Sequence, residues 1–202
     1  MKGQINLNSK AGDLIYQTVL SNNIENILEI GTWNGMGSTQ CVIQALKDRG
    51  KKANFLSIEL YPEMYDQALE NLKNDLDYVK LLNGSIISEE ELDWFDHSAI
   101  NFNNDLHAKL YYHKDVQYLK SSKNLYNEVQ SSIDFLILDG GEYSTYPEWQ
   151  KLKDRVLFVF LDDTNILKCS KIRREIIESK DFEIIQDDLR DRNGYSLFKK
   201  NK

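Results

Sequence analysis

Apolar residues along the chain alternate between short continuous runs and longer stretches with helical spacing. The short runs predict five β-strands, at residues 24–30, 53–58, 78–82, 133–138 and 156–161. Between the second and third of these, Pro62 stands where a helix begins, and Tyr65, Ala68, Leu69 and Leu72 share one helical face. Because strands and helices alternate, the pattern predicts an α/β fold with a doubly wound, mostly parallel, Rossmann-like sheet.

The C-terminal part of the pattern changes character. Residues 168–179 have helical spacing, and residues 182–186 and 195–199 predict two further strands, which makes seven. Asn193-Gly194 stands just before the last strand and is a strong signal for a two-residue turn. We therefore expect the seven-stranded sheet to close with a C-terminal antiparallel hairpin, and we interpret residues 191–194 as a structural turn.

Length and composition indicate one globular domain over residues 1–202. The chain is 41% hydrophobic and has no linker-like tract that would divide it. Residues 85–132 exceed the length that one crossover between parallel strands needs. We predict an insertion there, with some helix, or a lid.

Charge and composition also narrow the partners. A net charge of −7 argues against binding to nucleic acid. No segment approaches the roughly 20 apolar residues of a membrane span, and the N-terminus lacks the apolar run of a signal peptide. Cys41 and Cys169 have no metal-type spacing and are interpreted as free thiols. We expect a cytoplasmic protein with neither a nucleic-acid nor a membrane partner.

The most informative segment is EIGTWNGMGS at residues 29–38, which follows the first strand and opens a helix. In open α/β sheets, ligands bind at this crevice, outside the carboxyl ends of the strands. The spacing is G-x-x-x-G-x-G, which differs from the dinucleotide-binding G-x-G-x-x-G, and no phosphate-binding P-loop is present. A merely structural tight turn is the alternative.

An acid ends the second strand at Glu59. A carboxylate has two acceptor oxygens, so it can hold both hydroxyls of a ribose. The alternative is a solvated acid at the end of a strand. Together, the glycine segment and Glu59 favour a ligand that contains a nucleoside.

The glycine segment, the acid after the second strand and the terminal hairpin resemble class I S-adenosylmethionine (SAM)-dependent methyltransferases. The resemblance covers residues 24–199, and it implies that residues 29–37 surround the methionine part of SAM. It further implies Glu59 at the ribose, Leu60 over the adenine face, and Gly84 and Ser85 near the adenine. The implied cofactor-binding residues are Glu29, Gly31, Thr32, Trp33, Asn34, Gly35, Gly37, Glu59, Leu60, Gly84, Ser85 and Asp139.

Two neighbouring strands of the predicted sheet end in acids. Asp139 follows the fourth strand, and Asp162 and Asp163 end the fifth. Adjacent strands lie about 4.8 Å apart, so these carboxylates should converge and repel unless a cation neutralises them. Mg²⁺ or another divalent cation is a natural solution. The alternative is that the acids cap the helices that follow these strands.

The acidic cluster resembles that of metal-dependent small-molecule O-methyltransferases, of the catechol, macrolide-sugar and cephalosporin types. The resemblance implies that Asp139, Asp162 and Asp163 bind the metal, which would lower the pKa of an acceptor hydroxyl. Many such enzymes read D-G-x-H after the fourth strand, whereas this chain has Glu142 in the fourth position. Glu142 is therefore a candidate base or extra ligand. The candidate catalytic residues are Asp139, Glu142 and Asp163.

Three functions follow in order of preference. The first is magnesium-assisted O-methylation of a small hydroxylated acceptor, such as a sugar or glycan. The second is metal-independent N- or O-methylation, and the third is a SAM-binding domain without catalysis. Enzymes of the resembled type often form homodimers, but the sequence shows no interface. The basic residues just past the acids, Lys168, Lys171, Arg173 and Arg174, are interpreted as a solvated helix face.

Overall fold

The computed structural model describes residues 5–92 and 106–201, without the side chains of residues 106–108. The strands are β1 (Asn26–Ile30), β2 (Asn54–Glu59), β3 (Lys80–Asn83), β4 (Ile133–Leu138), β5 (Val156–Asp162), β6 (Phe182–Asp188) and β7 (Tyr195–Lys200). The helices are α1 (Lys10–Ser21), α2 (Ser38–Asp48), α3 (Pro62–Asn71), α4 (Leu106–Ser121), α5 (Thr145–Leu152) and α6 (Leu167–Ser179). Short 3-10 turns lie at Glu89–Leu92, Tyr126–Glu128 and Lys153–Arg155.

The seven strands form one sheet in the order β3-β2-β1-β4-β5-β7-β6. Strands β1 to β5 are parallel, and β7 runs antiparallel between β5 and β6. This confirms the predicted α/β class and the antiparallel C-terminal pair. The strand order reverses between β1 and β4, which leaves a crevice at the carboxyl ends of these strands.

The central strands are continuous apolar runs because both of their faces are covered. In β4, Leu136 and Leu138 pack into the hydrophobic cluster on one face of the sheet. Phe135 and Ile137 alternate with them and pack into the cluster on the other face. All four side chains are completely buried. Burial of both faces is typical of parallel sheets, whereas antiparallel sheets often expose one face to solvent.

Helix α1 precedes β1, where no element was expected from the sequence. The Ser9 hydroxyl caps it by accepting a hydrogen bond from the backbone N–H of Gly12. Ala11, Ile15 and Val19 form its buried face at a spacing of four residues. Both the cap and the apolar face are visible in the sequence once the helix is known.

The prediction of a two-residue hairpin turn was wrong. Six residues, 189–194, connect β6 to β7, and Asp188 pairs with Tyr195 across the ladder. The Asp188 carboxylate accepts hydrogen bonds from the N–H groups of Arg190 and Asp191, which turns the chain earlier. Gly194 supplies its positive φ of 83° at the entry to β7 instead of at a turn centre.

Part of the 85–132 segment forms the crossover from β3 to β4. It contains α4 and two of the 3-10 turns, and Ser85 forms an isolated bridge with Asn124. Residues 93–105, where the predicted insertion also falls, lie outside the described residues, so the insertion or lid stays a prediction. Over the described ranges, no helix combines the length and the apolar character that crossing a membrane requires.

Candidate functional site

A cavity of about 520 Å³ opens at the carboxyl ends of β1, β2, β4 and β5. Its volume lies within the ~300–1,000 Å³ of small-molecule and cofactor sites. The predicted cofactor residues that line it are Gly31, Thr32, Trp33, Asn34, Gly37, Glu59, Leu60, Gly84 and Asp139. Glu142, Asp162 and Asp163 line the same cavity. Glu29, Gly35 and Ser85 are absent from its lining.

Backbone hydrogen bonds connect the start of the glycine segment, at the end of β1, to the ends of β2 and β4. The Gly31 N–H donates to the Ile58 carbonyl at 2.9 Å, and the Asp139 N–H donates to the Ile30 carbonyl at 2.9 Å. Gly31 has a φ of 95°, and a Cβ there would lie 2.2 Å from the Asp139 carbonyl oxygen. Only glycine therefore fits, and the loop passes close enough to β4 to form one wall of the cavity.

Glu29 supports the loop from beneath. It is completely buried, and its carboxylate accepts hydrogen bonds from the hydroxyls of Ser38, Thr39 and Ser57 at 2.5–2.7 Å. Burial raises the pKa of Glu29 to about 7, although these three hydrogen bonds oppose the rise. Since it does not line the cavity, Glu29 acts in this structure as an anchor between β1, β2 and α2.

Glu59 ends β2 and lines the cavity with a side chain that backbone N–H groups hold in place. One carboxylate oxygen accepts from the Trp33 N–H at 2.6 Å and the other from the Tyr61 N–H at 2.9 Å. These bonds hold the side chain rigidly, and each oxygen keeps a further lone pair for a ligand hydroxyl. Burial raises the pKa of Glu59 to about 7, against the two backbone hydrogen bonds.

Asp115 on α4 ties the cavity wall together, and nothing in the sequence analysis identified it. Its buried carboxylate accepts hydrogen bonds from the Tyr61 hydroxyl at 2.8 Å and the Tyr143 N–H at 3.0 Å. It also accepts one from the backbone of Ser144. A signal was present, because Asp115 shares a helix face with the core residue Leu119, four positions later.

Asp139, Asp162 and Asp163 converge as the sequence predicts, with carboxylate oxygens within 4.8 Å of one another. They do not cap the following helices, whose N-cap residues are Ser144 and Ile166. Lys168 lies among them. Its ammonium is 2.6 Å from an Asp139 oxygen and 2.7 Å from an Asp163 oxygen.

The interpretation of Lys168 as part of a solvated helix face was wrong. Lys168 is only 7% exposed and points back into the cavity from the first turn of α6. Burial lowers the pKa of Lys168, but the charges of Asp139 and Asp163 outweigh it and hold the pKa well above its ordinary value. For Asp163, an acid, burial by itself raises the pKa. The charge of Lys168 outweighs this effect, and the pKa of Asp163 is lowered overall.

Arg192 adds a second cation, from the connection that was interpreted as purely structural. Its guanidinium lies 2.9 Å from one oxygen of Asp162 and lines the cavity. The other oxygen of Asp162 has no hydrogen-bond partner among the described residues. Burial, followed by the charge of Asp139, raises the pKa of Asp162 to about 7.

Two glutamates complete the polar lining. Glu142 accepts a hydrogen bond from the backbone N–H of Lys168, and burial raises its pKa while the charge of Lys168 opposes this. Glu148 on α5 is almost fully buried, and burial raises its pKa to about 8. One Glu148 oxygen has no hydrogen-bond partner in the described part of the chain. Glu148 was missed because it lies inside a helix, away from the strand ends.

Among the described residues that line the cavity, acids outnumber bases. The acids are Glu59, Asp139, Glu142, Glu148, Asp162 and Asp163, and the bases are Lys168 and Arg192. Glu148, with a pKa raised to about 8, adds little negative charge near neutrality, but the other five acids still outnumber the two bases, which favours a ligand with positive charge.

The acidic cluster meets one requirement of a divalent-cation site and fails another. The oxygens of Asp139, Asp162 and Asp163 are close enough to share one, and oxygen is the ligand that Mg²⁺ prefers. However, Lys168 already bonds two of these carboxylates, and Arg192 bonds the third. A magnesium ion on the same oxygens would face a buried ammonium at close range. With Lys168 in this position, the residues do not fit the metal.

Comparisons with known proteins identify the fold. No protein-family model and no curated protein matches the chain. Among solved structures, a provisionally assigned caffeoyl-CoA O-methyltransferase from Staphylococcus aureus is 16% identical, with 96% of this chain and 84% of that one covered and a TM-score of 0.64. An O-methyltransferase from Bacillus cereus in complex with S-adenosylhomocysteine (SAH) is 17% identical, with coverages of 94% and 80% and a TM-score of 0.60.

A third structure, an SAH-bound methyltransferase from Podospora anserina, is 13% identical, with coverages of 95% and 78% and a TM-score of 0.60. At identities of 13–17%, these similarities show the fold alone. The chain has the Rossmann-like fold of these methyltransferase structures, and the resemblance inferred from the sequence is confirmed to that extent.

Proposed function

We propose that the protein is a SAM-dependent methyltransferase that acts on a hydroxyl group of a small acceptor. The observation that carries this proposal is the cavity at the ends of β1 and β2, where the glycine loop and Glu59 face the same space. In this fold, two structural neighbours are SAH complexes. The glycine loop would face the methionine part of the cofactor and Glu59 the ribose hydroxyls.

The charge of the cavity agrees with this cofactor. SAM carries a sulfonium and an ammonium against one carboxylate, so it is a net cation. The excess of acidic side chains around the cavity favours such a ligand over a nucleoside phosphate, which would bring negative charge.

The reaction would transfer a methyl group from sulfur to oxygen. The acceptor oxygen attacks the methyl carbon, a C–O bond forms, the C–S bond breaks, and SAH leaves as a neutral thioether. The acceptor hydroxyl must also lose its proton, and Glu142 is our candidate for the group that takes it. Burial raises the pKa of Glu142 above the ordinary glutamate value, which makes its carboxylate a better proton acceptor. The cavity contributes by holding the two reactants in line.

A small hydroxylated acceptor, such as a sugar or glycan, is the substrate class we favour. Tyr111 is half exposed and lines the cavity, which offers an aromatic surface to a sugar ring. Asn193 lines it as well and hydrogen-bonds Asp163, so amide and carboxylate groups are available to hydroxyls. A homodimeric state is proposed from the resemblance alone, and a cytoplasmic location from the sequence alone.

Magnesium assistance, which the sequence favours, stays a prediction. Asp139, Asp162 and Asp163 are the residues that would hold the ion if Lys168 withdrew from them, and the ion would then lower the pKa of the acceptor hydroxyl. The positions of Lys168 and Arg192 support the metal-independent alternative instead. The acidic lining would also suit an amine acceptor, so N-methylation is the second candidate.

Calorimetric titration of SAH tests the proposal directly. We expect micromolar binding to the wild-type protein and at least about tenfold weaker binding to Glu59→Gln, or ~1.4 kcal/mol. Glu70→Gln is the matched control. Glu70 lies on α3, the helix that follows Glu59 in the chain, but its side chain is 72% exposed. A wild-type protein that does not bind SAH at millimolar concentration would refute the proposal. SAH binding without methyl transfer to any acceptor in a broad panel would favour the non-catalytic SAM-binding alternative.

A further inference from the structure

We propose that Lys168 is the resident cation of the acidic cluster and that this protein needs no divalent metal there. The inference rests on the proposed function, and it specifies how that function handles the charges beside the acceptor. It starts from the bridge that the Lys168 ammonium forms between the carboxylates of Asp139 and Asp163.

The bridge connects two strand ends. Asp139 follows β4 directly, and Asp163 follows β5, so the Lys168 ammonium spans the positions that a metal bound at this edge would also span. Distances of 2.6 and 2.7 Å are those of charge-assisted hydrogen bonds. An ammonium has three N–H donors, and these two bonds leave one that can face the cavity.

The location of Lys168 is otherwise unfavourable for a cation. Lys168 is the second residue of α6, where the helix macrodipole presents its positive end. Burial adds a further cost. The two carboxylates that it bonds offset both effects, so Lys168 and the acids depend on one another for their buried charges.

Arg192 supplies a second cation. It bonds Asp162, the member of the cluster that Lys168 does not reach with a hydrogen bond. Two cations therefore face three carboxylates, which weakens the electrostatic reason for binding a divalent ion. The free N–H of Lys168 would then hydrogen-bond the acceptor oxygen, which gains electron density as its proton leaves.

Manganese(II) is the probe for the test, since it binds carboxylate sites and its free form is counted by electron paramagnetic resonance. We titrate Mn²⁺ into wild-type protein saturated with SAH. The expected result is no specific binding below millimolar Mn²⁺. One tightly bound Mn²⁺ that is lost in Asp163→Asn would overturn the inference, whatever the behaviour of any other variant.

The second arm removes the ammonium while keeping an unbranched side chain that is one atom shorter. Lys168→Met should bind Mn²⁺ about tenfold or more tightly than wild type, because the carboxylates lose their partner. Lys168→Met/Asp163→Asn should lose that gain. Lys171→Met, on the same helix but with its ammonium over the Tyr146 ring, is the control and should behave as wild type. If Lys168→Met folds and gains no affinity, Lys168 is not the occupant of a cation position.

SAH binding separates the two proposals. A wild-type protein that binds SAH and also binds Mn²⁺ at the cluster contradicts only the role of Lys168. A wild-type protein that does not bind SAH contradicts the proposed function itself.

Discussion

Replacing Asp115 by alanine should loosen the wall of the cavity and destabilise the whole domain. The carboxylate is completely buried and accepts hydrogen bonds from the Tyr61 hydroxyl, the Tyr143 N–H and the backbone of Ser144. These donors come from the segment after β2 and from the segment after β4, whereas Asp115 itself lies on α4. One side chain therefore joins three parts of the chain.

The magnitude follows from the donors left behind. Each buried donor without a partner costs about 1–3 kcal/mol, and water that enters the space recovers part of this. For three donors we expect a loss of about 3–5 kcal/mol in the free energy of unfolding. This is a large share of a typical domain stability of ~5–15 kcal/mol and corresponds to a fall of about 10 °C in melting temperature.

Urea denaturation, followed by circular dichroism, measures the loss. Asp77→Ala is the control, because the Asp77 side chain is 90% exposed and pairs only loosely with Lys52, at 3.7 Å. It should change the free energy of unfolding by less than about 0.5 kcal/mol. A double-mutant cycle with Tyr61→Phe should show a coupling of about 1–2 kcal/mol. A loss below ~1 kcal/mol in Asp115→Ala would show that these hydrogen bonds do not hold the wall together.

Two further predictions concern the loop and the buried acids. Gly31→Ala should lower the free energy of unfolding by at least about 2 kcal/mol in urea denaturation, because its Cβ would meet the Asp139 carbonyl. Gly50→Ala, with a similar positive φ of 67° but open space around it, should cost only about 1 kcal/mol, and equal losses would contradict the steric explanation. The raised pKa of Glu148, about 8, means that the folded state retains a proton that the unfolded state has lost. The contribution of protonated Glu148 to stability is therefore fully present below the ordinary glutamate pKa, and it is lost as the pH rises to about 8. Stability should fall over that window by up to ~1.4 kcal/mol per pH unit, and Glu148→Gln should reduce the slope, as measured by denaturation at several pH values. An unchanged slope would show that Glu148 does not carry this proton.

The parts of the fold that could be predicted are those that a single local pattern determines. Strand β4 was predicted at its observed bounds, Ile133–Leu138, because burial on both faces forces a continuous apolar run with sharp ends. The positions of the glycine segment and Glu59 in the fold were predicted correctly for a related reason. The segment begins at the end of β1 and Glu59 ends β2, and the ends of parallel strands meet at one edge of the sheet.

The parts of the structure that could not be predicted depend on contacts between segments that the fold brings together. An Asn-Gly pair signals a turn, but the Asp188 carboxylate had already turned the chain by bonding two backbone N–H groups. Asp115 lies in a helix and contributes to the cavity only because α4 packs across the strand ends. Spacing along the sequence shows neither effect, since both arise from contacts between residues that the fold brings together.

The acidic cluster combines both situations. Its acids stand at strand ends, so the sequence located them, whereas its bases extend from a helix and from the 189–194 connection on long side chains. A basic residue on a helix usually lies in solvent, because desolvation of its charge is costly. The partly buried carboxylates of Asp139 and Asp163 reverse that balance for Lys168, since each partner gains from the other. The count of acids alone therefore overstates the attraction of the cluster for a metal, and the charge that remains after Lys168 and Arg192 are included is the quantity that decides it.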